Sequence, residues 1–240
     1  MIIFLTSSST GPLGSHFNGL DHQNHFVENL KKYWKPDSKC CLIAAYPDHY
    51  QENDQMCDYF RTVLTHEQFS LDCFDLIDQR YQDITSQKLQ QYDVIILSGG
   101  HVPTQNQFFQ SISLKEKLKD FQGIIIGISA GSMNCASTVY CQPEEPGESI
   151  DQQFQRWIEG LALTDINIIP HYQLVKDRYL DGQRLYEDIT YPDSLNHRFI
   201  ILVDGSYILI DDQNWLYGES YLLENGELKP LCFQNQKTII

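Results

Sequence analysis

One nine-residue stretch, Gly123-Ile-Ile-Ile-Gly-Ile-Ser-Ala-Gly131, constrains the fold of this chain more than any other. Ile124, Ile125 and Ile126 are β-branched, and with Ile128 they make a continuous apolar run, the pattern of a strand buried on both faces of a sheet. The run ends in Gly127-Ile128-Ser129-Ala130-Gly131, a G-x-S-x-G pattern in which a strand turns sharply into a helix and presents the serine hydroxyl at the sheet edge. A side chain at either glycine would collide with the neighbouring strand or the starting helix. The small residues from Ser132 to Ser137 suit a helix packed closely on the sheet. A helix beginning at Ala130 aims free backbone N–H groups toward the serine, as an oxyanion requires.

The rest of the chain alternates strand-like and helix-like segments. Strands are expected at 2–6, 40–46, 69–76 and 94–97, helices at 19–34, 51–64, 86–91 and 105–119, and a polar loop at 7–14. This alternation predicts an α/β fold, a mostly parallel central sheet with helices on both faces. The length of 240 residues fits one domain spanning 1–240. Asp204-Gly205 lies between apolar runs at 199–203 and 207–210, a turn signal that predicts an antiparallel hairpin near the C-terminus. Residues 140–160, rich in Glu, Gln and Pro, read as a long mobile loop over the site.

Composition excludes several classes. No apolar run reaches the roughly 18 residues of a membrane span, and the first residues lack the basic start of a signal peptide. Seven cysteines, an odd number without a C-x-x-C pair, fit reduced thiols in a cytoplasmic protein better than a disulfide framework. A formal net charge of −15 argues against nucleic acid or an anionic membrane as partner. His22 and His25 lack further ligands nearby, so no metal site is expected. No G-x-G-x-x-G or P-loop pattern points to a nucleotide cofactor.

In a parallel sheet the loops that follow the strands share one edge, and ligands bind there. Four places on that edge carry useful chemistry. Ser98-Gly99-Gly100-His101 follows the strand at 94–97, and the Gly100 amide is a candidate oxyanion donor beside that of Ala130, with His101 placed to touch substrate. Ser129 is the second. His171 follows the apolar segment that ends in Ile169-Pro170, where an imidazole can take the serine proton. Asp204 follows the run at 199–203, where a carboxylate can accept the second imidazole N–H. Glu144, Glu145 and Asp165 compete for that last role.

Taken together, Gly-Ile-Ser-Ala-Gly, the upstream Ser-Gly-Gly, the strand ending Ile-Pro-His and the late Val-Asp-Gly-Ser resemble the peptidase E family of serine exopeptidases, which includes aspartyl dipeptidase and cyanophycinase. The resemblance covers residues 2–210. It implies a fold similar to class I glutamine amidotransferases, with serine in place of their elbow cysteine, and hydrolysis of a short peptide through an acyl-enzyme. It further implies Ser129 as nucleophile, His171 as base, Asp204 as the acid, and the amides of Gly100 and Ala130 as oxyanion hole. The family loop usually reads Gly-Gly-Gly-Asn-Thr, whereas this chain has Ser98-Gly-Gly-His-Val-Pro103. Aspartyl dipeptidases hold the acidic side chain with an arginine that follows the histidine. Arg178 and Arg184 are available here, and Arg184 joins His101 as a substrate-binding candidate. Two alternatives stay open: an α/β-hydrolase-type esterase built on Ser129, Asp181 and His197, and a non-catalytic relative that binds a small molecule or peptide.

Overall fold

The computed structural model describes residues 1–10 and 19–240. Of the polar loop expected at 7–14, residues 11–14 lie outside the described residues. Five parallel strands form the heart of an eight-stranded sheet: β1 (Ile2–Thr6), β2 (Ser38–Ile43), β3 (Leu71–Ile77), β4 (Val94–Leu97) and β5 (Ile124–Ile128). Their spatial order is β1-β5-β4-β2-β3, which puts β5, directly followed by Ser129, between two other strands. Three antiparallel strands, Tyr207–Ile210, Asn214–Tyr217 and Lys237–Ile239, extend the sheet beyond β1.

Side chains alternate across the sheet and both faces are covered. Ile3 and Leu5 join one apolar cluster with Phe108, Phe109 and Leu114, while Phe4 joins another with Phe26, Leu30 and Phe60. This double burial is why these strands read as unbroken apolar runs. Each such side chain contributes about 1.5–3 kcal/mol by leaving water. The helix expected over 19–34 is confined to Phe26–Tyr33, because Asn24 and His25 take left-handed backbone conformations that interrupt it. The helix expected over 105–119 is two, Val102–Ser111 and Leu114–Leu118, parted at Ser113 with φ 50°.

A second sheet of four strands runs in the order Glu227–Cys232, Ser220–Glu224, Arg198–Leu202, Asn167–Ile169. It has its own small core, built from Tyr140, Ile169, Tyr186, Phe199, Ile201 and Leu223. The strands before His171 and Asp204 therefore belong to a different sheet from β5, contrary to the single sheet edge expected from sequence. Arg198–Leu202 pairs with Asn167–Ile169 and Ser220–Glu224, whereas Tyr207–Ile210 pairs with β1. The Asp204-Gly205 turn thus carries the chain from one sheet to the other and closes no hairpin. Antiparallel hairpins do form further on, between Tyr207–Ile210 and Asn214–Tyr217 and between Ser220–Glu224 and Glu227–Cys232.

The segment expected as a loop at 140–160 begins and ends in strand, because Thr138–Tyr140 pairs with Trp157–Glu159. All seven cysteines are free, and six of them are buried. No helix among the described residues is long and apolar enough to cross a membrane.

Candidate active site

The strands β1 and β5 run side by side with Thr6 opposite Ile128, so the next residues, Ser7 and Ser129, leave adjacent strand ends. The Ser129 amide donates to the Thr6 carbonyl at 3.0 Å, and the chain then turns at once into the short helix Ala130–Met133. Ser129 sits at φ 49° and ψ −111°, a sparsely populated conformation that costs of order 1–3 kcal/mol and concentrates at functional sites. The flanking glycines make room for the turn. A Cβ on Gly127 would stand 2.7 Å from Ser132 Cα, and one on Gly131 would overlap the Leu97 carbonyl oxygen.

The second sheet delivers the partners. Asn167–Ile169 and Arg198–Leu202 are parallel, with Ile169 opposite Ile201, so His171 and Asp204 emerge from neighbouring strand ends. His171 Nδ1 lies 2.6 Å from Asp204 Oδ1, and Nε2 lies 2.9 Å from Ser129 Oγ. An ionised carboxylate can only accept, so Nδ1 carries the proton and Nε2 is left to accept from the Ser129 hydroxyl. The Asp204 side chain is 1% exposed and that of His171 16%, which shields the pair from water and strengthens its electrostatics.

Ser7 is a site residue that falls inside the segment read only as a polar loop. Its hydroxyl donates to Asp204 Oδ1 at 2.7 Å and accepts the His171 amide at 2.8 Å, tying the two sheets together beside the Ser129–His171–Asp204 cluster. The Asp204 amide donates in turn to Gln173 Oε1 at 3.1 Å. A usable signal existed, since Ser7 directly follows the first strand on the edge where ligand-handling residues gather.

The Ser98-Gly99-Gly100 turn passes beside Ser129. A Cβ on Gly99 would lie in ordinary contact, 3.5 Å from Ser129 Cβ, whereas one on Gly100 would come to 2.5 Å from Ala45 Cβ, so glycine is required at Gly100. Neither the Gly100 amide nor the Ala130 amide finds a backbone acceptor among the described residues. His101 takes no part in this opening. Its buried ring is held between Thr104 Oγ1 and Glu148 Oε1, each at 2.8 Å, and ties the turn to residues 141–156. Arg184 is paired with Asp188 four residues on, at 2.6 Å, and does not line the cavity at Ser129.

That cavity, about 290 Å³, opens on Ser129 and His171 and is walled by Met133, Leu174, Val175 and Leu185, with Glu144 and Arg178 as its charged members. Burial, with the Glu148 carboxylate nearby, pushes the Glu144 carboxyl up to about 7 against the pull of Arg178. Of the competing acids, Asp165 accepts from the Ser137 hydroxyl and Glu145 is exposed, which leaves Asp204 as the carboxylate at His171. Asp181 accepts the amides of Gly147 and Ser149, and His197 stacks on Trp157 with ring centres 4.0 Å apart. Neither lines the Ser129 cavity. A larger hollow of about 540 Å³ beside β3 has no serine, cysteine or histidine in its lining. Among the described residues no three His, Cys, Asp or Glu side chains are grouped to hold a metal ion.

A model of peptidase family S51 matches residues 3–217. Among solved structures the chain is similar to a peptidase from an acI-B1 Actinobacterium, with a TM-score of 0.65 and 15% identity over 100% of this chain and 96% of that one. It is also similar to a candidate peptidase E from Listeria monocytogenes EGD-e, with a TM-score of 0.58 and 16% identity over 96% and 98% of the two chains. At these identities the likeness speaks to the fold alone. No curated protein sequence matches.

Proposed function

The chain belongs to peptidase family S51 and is a serine-type peptidase, and from that premise we propose that Ser129, His171 and Asp204 are its catalytic triad and that it acts on short peptides as an exopeptidase. The scissile carbonyl enters the cavity beside Ser129 Oγ. Nε2 of His171 takes the hydroxyl proton as the oxygen attacks, and Asp204 holds the imidazole tautomer and stabilises the imidazolium that forms. The amides of Gly100 and Ala130 donate to the oxyanion, each worth about 10²–10³ in rate. His171 then passes its proton to the leaving amine, and water attacks the acyl-enzyme by the same route. Seven free cysteines support a cytoplasmic setting, where thiols stay reduced.

One observation carries this proposal: Ser129 Oγ is 2.9 Å from a His171 ring whose other nitrogen is 2.6 Å from Asp204. Free and amino-blocked peptides of two to six residues, assayed with wild type beside Ser129→Ala, test it. Wild type is expected to cleave short peptides with free amino termini, and Ser129→Ala to lose at least about a thousand-fold. Equal cleavage by both proteins overturns the assignment of Ser129. Hydrolysis of simple esters with no peptide cleavage favours an esterase instead.

A further inference from the structure

The turn that carries the Gly100 amide is held from its two ends. The Ser98 amide donates to the Ile43 carbonyl at 3.1 Å, and the Ser98 carbonyl accepts from Gln105 Nε2 at 2.7 Å. Between Ser98 and His101, Gly99 and Gly100 make no backbone hydrogen bond among the described residues. Two glycines in a row have wide backbone freedom, so the aim of the Gly100 amide depends on what fixes the residue after it. That residue is His101, whose ring bonds to Thr104 in its own segment and to Glu148, 47 positions further on, each at 2.8 Å.

Glu148 uses both of its oxygens. Oε1 faces His101 Nε2, while Oε2 accepts the amides of Glu144 and Glu145 at 2.8 and 3.0 Å. Pro143 and Glu144 wall the Ser129 cavity, so one carboxylate joins that wall to the glycine turn. An ionised carboxylate only accepts, so Nε2 of His101 carries the proton. The side chains of His101 and Glu148 are 11% and 15% exposed, and a pair so covered is little weakened by water or salt.

We propose that Glu148, acting through His101, positions the Gly100 amide for the oxyanion and ties that aim to the placement of the cavity wall. This rests on the serine peptidase mechanism and assigns two positioning residues to it. Neither residue lines the cavity, so both act through the backbone of the turn. An oxyanion donor is worth about 10²–10³ in rate when it is correctly aimed, and such aim is kept to within about 0.5 Å only by supporting contacts. Loss of the His101–Glu148 bond frees the turn and removes part of that factor, about ten- to a hundred-fold in kcat with KM little changed. Loss of the Glu148 carboxylate also releases the amides of Glu144 and Glu145, so KM rises as well.

His101→Gln and His101→Asn separate the two ring contacts. A glutamine amide reaches about as far as Nε2 and can donate to Glu148, whereas the shorter asparagine amide reaches only to the Nδ1 position beside Thr104. Both are compared with wild type, His101→Ala and Glu148→Ala. The measurements are kcat and KM across pH on free-amino peptides of two to six residues, and the rate at which a small fluorophosphonate labels Ser129. Its phosphoryl oxygen takes the oxyanion position, so labelling reads the donors without a peptide. His101→Asn and His101→Ala should lose about ten- to a hundred-fold in kcat and in labelling rate, with KM within a few-fold and the pH profile unmoved. His101→Gln should recover part of the loss, and Glu148→Ala should add the rise in KM. Equal kcat in His101→Gln and His101→Asn overturns the proposal even where His101→Ala fails to fold. So does labelling of His101→Asn at the wild-type rate, or a shifted pH profile in His101→Asn, which puts the damage at His171 and Asp204 instead. In each of these cases labelling of wild type at Ser129 leaves the serine mechanism standing, whereas a wild type left unlabelled there overturns both.

Discussion

Ser7→Ala removes one oxygen from the joint between the two sheets. The residue is fully buried, and its hydroxyl makes two bonds, to Asp204 Oδ1 at 2.7 Å and from the His171 amide at 2.8 Å. Alanine strips a donor from a buried carboxylate and leaves the amide without that acceptor. A bond to a charged group is worth about 1.5–3 kcal/mol and a buried polar group left unpaired costs about 1–3 kcal/mol. Because one atom makes both bonds they do not add in full, and a loss of about 2–4 kcal/mol is expected. At about 2–4 °C per kcal/mol for a chain of this size, Tm should drop by roughly 5–15 °C.

The catalytic effect follows from the same geometry. With one fixed donor gone, the carboxylate of Asp204 is freer to turn away from Nδ1. A misplacement near 1 Å costs about a hundred-fold, so kcat should fall about ten- to a hundred-fold. KM should change little, since Ser7 does not line the cavity. Steady-state kinetics across pH, with thermal unfolding on the same samples, measure both effects, and Ser7→Thr, which keeps a hydroxyl, should recover part of each. If Ser7→Ala loses stability but keeps the wild-type kcat and pH profile, Ser7 does not position the His171–Asp204 pair. Wild-type stability in Ser7→Ala contradicts the two bonds themselves.

Three further outcomes are expected. Asp204→Asn keeps the shape of the acid without its charge, and kcat/KM should fall about 10²–10⁴-fold, while Asp165→Asn, which touches only the Ser137 side of the fold, should stay within a few-fold by the same assay. Gly131→Ala drives a methyl into the Leu97 carbonyl, and denaturant unfolding should show a loss of at least about 2 kcal/mol. The Glu144 carboxyl is raised from 4.5 to about 7 in the folded protein, so the unfolded chain releases that proton first and stability is lost as pH rises through this window. Glu144→Gln should therefore be the more stable protein at pH 8, by up to about 3 kcal/mol, with the advantage gone below pH 4.5 in urea titrations.

The elbow and the parallel strands were legible because burial on both faces leaves an unbroken apolar run, and because the overlaps at Gly127 and Gly131 force glycine at two fixed offsets from Ser129. His171 and Asp204 were legible as polar residues just past strands. Their sheet was not. Asn167–Ile169 and Tyr207–Ile210 have the same short apolar pattern, yet one pairs in the second sheet and the other with β1, and local pattern does not encode the pairing partner. The Asp-Gly turn misled for the same reason, since its two flanking strands belong to different sheets. The helix at 19–34 was overextended because apolar spacing carries no sign of the left-handed residues at 24 and 25. Arg184 offered a warning in its own sequence: Asp188 stands four residues away and takes its guanidinium, as such spacing invites. The contacts of Ser7 join segments more than a hundred residues apart, and local sequence marked its place just past the first strand but not those partners.

Labelling with an amine-free fluorophosphonate, followed by peptide mapping in wild type and His171→Ala, bears most directly on the catalytic core. The adduct is expected on Ser129 alone, forming at least about a hundred-fold more slowly when the imidazole is gone. An adduct on another residue, or a Ser129 adduct that forms equally fast without His171, contradicts the nucleophile and base assigned to this enzyme.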